Sequence, residues 1–92
     1  MFCITKWTRH ITDSERDEYT GQLDAMKAHL LKQSGAVPQL YRFRLLDDDG
    51  IVYAYGMSTS PDSFAPLDRF QWVYGCTEIQ YKDPKTGKYK TL

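Results

Sequence analysis

The sequence predicts an α+β fold: a mainly antiparallel sheet of four to five strands in the order β-α-β-β-(loop)-β-β, with one long helix packed on a face. Three observations carry this expectation. Residues 40–57 hold two alternating runs on either side of Asp47-Asp48-Asp49-Gly50, the clearest hairpin signal in the chain, because Asp and Gly tolerate positive φ. Apolar residues recur with helical spacing at Tyr19, Leu23, Met26 and Leu30. With 92 residues, 41% apolar and 26% charged, the chain has the composition of a globular protein and the length of one domain, 1–92.

The first strand is expected at Phe2-Cys3-Ile4-Thr5-Lys6-Trp7-Thr8, which is rich in β-branched and aromatic types and alternates Phe2 and Ile4 with polar positions. Thr12-Asp13-Ser14-Glu15 then has the S/T-x-x-E spacing of a capping box, so a helix is expected over 13–33. Its apolar stripe faces the core. Acidic residues crowd its first turns and Lys27 and Lys32 its last, as the helix dipole favours. Gly21 costs about 1 kcal/mol relative to Ala in such an interior. Ser34-Gly35 stops the helix and Pro38 prevents its resumption.

In the hairpin, side-chain parity puts Tyr41, Phe43 and Leu45 on one face with Val52, Ala54 and Gly56. Arg42, Arg44 and Leu46 fall on the other with Tyr53, Tyr55 and Met57. One face reads as core, the other as basic and aromatic. Residues 58–75 read as an irregular connection; Ser60-Pro61 suits the start of a short helical turn that Pro66 limits. Residues 76–82 and 88–92, joined through Asp83-Pro84-Lys85-Thr86-Gly87, form a terminal hairpin whose lysines suit an exposed edge.

From Tyr41 to Leu92 the chain combines the strand-Asp-Asp-Asp-Gly-strand unit, the segment Phe64-Ala65-Pro66-Leu67-Asp68-Arg69-Phe70 and the hairpin opening Gly75-Cys76-Thr77-Glu78-Ile79-Gln80-Tyr81. In these pieces, which span a little over half the chain, it resembles a family of small uncharacterised proteins carried by bacteria and their phages. The resemblance implies an accessory protein of a chromosome or prophage, one that binds something in preference to catalysing something. It assigns no residue a role.

Charge and motif content narrow the function classes. Twelve basic and 12 acidic side chains leave a formal charge of zero, so no global field attracts nucleic acid or an anionic membrane, and any such binding needs a local patch. Met1-Phe2-Cys3-Ile4 is followed at once by Lys6 and Arg9, which leaves no room for a signal-peptide core. No run approaches a membrane span, so a cytoplasmic protein without membrane partners is expected. Cys3 and Cys76 are too few for a disulfide scaffold and have no partner at metal-ligand spacing. His10 and His29 are the only imidazoles, and a nucleophilic Cys–His pair would require neighbours that only the fold can supply. Asp47-Asp48-Asp49 lacks calcium-loop spacing and reads as a turn. With no Gly-rich phosphate loop, zinc cluster or nucleophile elbow, the expectation is a non-enzymatic protein with no catalytic residues, metal or cofactor.

Two surfaces are candidates for binding. Phe64, Phe70, Trp72 and Tyr74 crowd residues 58–75 and are types enriched at interfaces, which favours a protein-binding module; the alternative is a lid over the sheet. Arg42, Arg44, Tyr53 and Tyr55, with Lys82, Lys85, Lys88 and Lys90 nearby in sequence, combine phosphate donors with stacking rings, the pairing that single-stranded RNA or DNA binders place on a sheet. The aromatic surplus in so short a chain also makes a homodimer an expectation to test.

Overall fold

In the computed structural model, which describes residues 1–8 and 19–92, the chain has the expected α+β class. In chain order the elements are β1 (Phe2–Trp7), α1 (Leu23–Ser34), β2 (Tyr41–Leu46), β3 (Val52–Ser58), α2 (Ala65–Tyr74), β4 (Glu78–Lys82) and β5 (Tyr89–Thr91). The strands make one antiparallel sheet in the order β1-β3-β2-β4-β5. The Thr12–Glu15 capping box and His10 lie outside the described residues.

Alternation along β2 separates the two faces. Phe43 and Leu45 are fully buried and Arg42 is exposed. Phe43 stands opposite Gly56 on β3 and Tyr81 on β4; Leu45 stands opposite Ala54 and Ile79. With Ile4 and Phe70 these residues form the core. Glycine is required at 56 because the Phe43 ring lies across that position, and a Cβ would fall on the ring and on the Cys3 carbonyl oxygen.

The cover over this face is α2, in the segment expected as an irregular connection. Pro66 opens that helix and does not limit one. A first-turn residue needs no N–H acceptor, and the proline φ is already helical. Leu67 and Phe70 then fall three residues apart on the buried side, and Gly75, at φ 73°, ends the helix by donating its N–H to the Gln71 carbonyl at 3.0 Å. Tyr81 clamps the approach to α2, its hydroxyl donating to the Ser63 carbonyl at 2.7 Å.

The expectation of one rod over 13–33 is corrected: its first residues, 13–18, lie outside the described residues, Tyr19 is helical, and the helix is broken at 20–22 before α1 starts at Leu23. Thr20 pairs in parallel with Ile4, and Gly21 donates to the Ile4 carbonyl at 3.2 Å with φ 72°. The outer edge of β1 carries backbone groups that need partners, and pairing there prevails over helix continuation. Gly21 is therefore a turn residue, not a weak point inside a helix. The turn carries the chain from one face to the other. Tyr19 stacks on Phe2 at 4.7 Å on the core side, whereas Leu23 and Lys27 lie over the opposite face beside Lys6 and Tyr55. There α1 packs beside β1 and buries Met26.

A bulge corrects the end of the hairpin. Between Leu45 and Leu46 the register shifts, so Leu46 pairs with Val52 and Tyr53 becomes the extra residue. A one-residue slip reverses the faces of the residues beyond it. Tyr53, expected beside the arginines, packs against the buried cluster, and Val52, expected beside Ala54, stands opposite Leu46. Among the described residues no helix is long and apolar enough to cross a membrane.

Candidate functional site

Because α1 reaches only the β1 end of the second face, the remainder of that face stays open. Arg42 stands opposite Met57, and Arg44 opposite Tyr55 on one side and Gln80 on the other. β5 adds Tyr89 opposite Lys82, and β1 adds Lys6 opposite Tyr55. Together they border a cleft of 520 Å³, walled by Lys6 and Lys27 at one side, Tyr55 and Met57 along its floor, and Arg42 and Tyr89 at the other side.

The cations here have different tasks. Arg44 is half-buried and fixed: its Nε donates to Gln80 Oε1 at 2.7 Å and its guanidinium carbon lies 4.1 Å above the Tyr89 ring. Gln80 is itself held, since its amide donates to Glu78 Oε2 at 2.6 Å and Thr91 Oγ1 at 3.2 Å. Arg44 thus positions an aromatic ring through a cation–π contact. Burial pushes the Tyr89 phenol up from its ordinary value, against the pull of the Arg44 and Arg42 charges. The phenol stays protonated, a hydrogen-bond donor beside the cleft. Arg42, Lys6 and Lys27 form no ion pair among the described residues, and none of the described residues lining the cleft is acidic. Three cations around two half-buried phenol rings attract an anion that carries a flat group.

The structure divides the other candidate set. Phe70 is fully buried, with ring centroids at 5.2 Å from Trp7, 5.7 Å from Tyr19, 5.8 Å from Tyr74 and 6.3 Å from Phe2. Tyr74 is half-buried against Phe70 and Trp7. Only Phe64, 48% exposed just before α2, and Trp72, 87% exposed on its outer side, face solvent substantially. Helical periodicity does the sorting: 67, 70 and 74 share a stripe, and 72 lies across from it.

Both thiols are buried away from the cleft lining. Burial, and secondarily the Asp47 carboxylate, pushes the Cys76 thiol up to about 11; burial also raises Cys3. Protonated, inaccessible thiols are poor nucleophiles. Asp47 organises the hairpin turn, its Oδ1 accepting the N–H groups of Asp49 at 2.9 Å and Ile51 at 3.0 Å. Among the described residues no group of three or more His, Cys, Asp or Glu is placed to hold a metal ion.

Of the four residues expected on the basic face, Arg42 and Tyr55 line the cleft, Arg44 supports it and Tyr53 lies on the other side of the sheet. Sequence reasoning missed Lys6, Lys27 and Tyr89, which three different elements bring to the same place. For Tyr89 a signal existed: it alternates with Lys88 and Lys90 in the terminal hairpin. For the lysines there was none, since their position depends on where the chain crosses the β1 edge. Compared with protein-family models, curated proteins and solved structures, the chain matches none.

Proposed function

We propose that this chain is a non-enzymatic binding protein whose open sheet face takes single-stranded RNA or DNA. The observation that carries the reading is the cleft lining: Lys6, Lys27 and Arg42 without acidic neighbours among the described residues that line it, around Tyr55 and Tyr89. Phosphates supply what these cations attract, and every base has a flat face for a phenol ring, so such a site tolerates many sequences. An accessory protein of bacterial or phage type, the origin implied by the resemblance, meets single strands in the cytoplasm.

Fluorescence anisotropy with a labelled oligothymidylate tests the reading. Three phosphate contacts give a log–log salt slope of about −2, or roughly a 20-fold loss of affinity between about 50 and 200 mM salt. Arg42→Ala removes one contact and reduces that loss to roughly 7-fold. Tyr55→Ala weakens binding by about 1–3 kcal/mol with the slope unchanged. No binding at low salt overturns the proposal.

A second reading rests on Trp72, which at 87% exposed is the least covered large apolar side chain among the described residues. It is a protein-docking residue on α2, with Phe64 beside the start of the helix, and a second copy of the chain is the simplest partner. Light scattering then gives a dimer mass that Trp72→Ala reduces to that of the monomer; a monomer in both removes the self-association form of this reading.

A further inference from the structure

The cleft has a neighbour. A second hollow of 330 Å³ opens between the start of β2 and the β4–β5 turn, bordered by Tyr41, Arg42, Met57, Lys82 and Asp83. The two hollows share Arg42 and Met57, which stand directly opposite each other on β2 and β3. That pair lies between the two hollows, and Arg42 is exposed. Each hollow falls within the ~300–1,000 Å³ that accommodates a small organic ligand, which is room for a nucleotide.

Accepting the reading of the cleft as a single-strand site, we infer that the strand crosses the Arg42–Met57 pair and continues into the second hollow. Lys82 there meets a further phosphate. The charges fit this course. Asp83 is the one carboxylate among the described residues at the second hollow, and it is turned into its own loop. Its Oδ1 accepts the Lys85 N–H at 2.8 Å, and its Oδ2 lies 3.9 Å from the Lys90 ammonium. Its charge is thereby offset, and Lys82 remains the cation facing an incoming phosphate. The footprint is thus longer than the cleft alone holds, and residues at its two ends act on different parts of the strand.

Oligothymidylates of increasing length read this directly. In anisotropy titrations of the whole chain, a hexanucleotide binds more tightly than a dinucleotide. Lys82→Ala weakens the hexanucleotide about 5-fold and lowers its salt slope by about 0.7, the value of one phosphate contact on a single strand, while dinucleotide binding is unchanged. Lys82→Arg keeps hexanucleotide binding, and Arg42→Ala weakens both lengths. Equal effects of Lys82→Ala on the two lengths, or no effect on either, overturn the second hollow and leave the cleft standing. Failure of the unaltered chain to bind any length at low salt overturns the cleft itself. Circular dichroism of each variant separates a lost contact from a lost fold.

Discussion

Two aromatic residues on one turn of α2 have opposite environments, and removing each in turn tests the architecture. Phe70 is fully buried and touches four other rings, Phe2, Trp7, Tyr19 and Tyr74; Trp72 is 87% exposed. Phe70→Ala loses the transfer free energy of the ring and leaves a cavity walled by rigid aromatics that cannot collapse into it. Large-to-small changes of this kind cost about 3–5 kcal/mol, and the lost edge and stacking contacts place this one near ~4 kcal/mol. A chain of this length has a total stability of about 5–14 kcal/mol, so the variant sits close to unfolding. Its thermal midpoint falls by roughly 15–30 °C at about 4–8 °C per kcal/mol. Trp72→Ala stays within about 0.5 kcal/mol of the parent. Urea and thermal unfolding followed by circular dichroism measure both. A Phe70→Ala cost below about 1 kcal/mol, or equal costs for the two, refutes α2 as the cover of the core.

Gly21→Ala discriminates by sign: at φ 72° it destabilises by about 1 kcal/mol, whereas inside a continuous helix the same change stabilises by a similar amount. Gly56→Ala drives a methyl into the Phe43 ring and the Cys3 carbonyl, and because a backbone oxygen cannot move aside the cost reaches about 3 kcal/mol or more; a variant with parental stability refutes that packing. Stability should also fall at alkaline pH. Cys76 binds its proton more tightly folded than unfolded, with its value raised from 9.0 to about 11. Its contribution is therefore whole below pH 9 and is lost as pH rises through about 11, and burial of the Tyr81 phenol acts in the same direction above 10. A urea midpoint that rises with pH across this interval contradicts the burial. Both thiols resist alkylation in the folded chain and react once it unfolds.

Legibility tracked the range of the interactions. The hairpin was readable because its two runs are close neighbours: Phe43 and Leu45 went inside and Arg42 outside as parity requires. The bulge at Leu46 was not, and it moved Tyr53 across the sheet, since nothing in an alternating run marks which residue will be skipped. Pro66 was ambiguous in a specific way: the same ring that ends a helix also starts one, and only the stripe formed by Leu67, Phe70 and Tyr74 decides between them.

By itself, the sequence determined the α+β class, the antiparallel hairpin pairing, the separation of greasy from cationic positions along β2, and the stop of α1 at Gly35. These depend on φ preferences and on side-chain periods of two and 3.6, which are properties of short stretches. Tertiary structure alone decided that α2 covers the core, that the chain turns at Gly21 to place α1 on the opposite face, and that Lys6, Lys27 and Tyr89 join Arg42 around one cleft. The reason is competition. A strand edge and a sheet face can each be satisfied by several segments, and which one wins depends on the surface that all of them bury together.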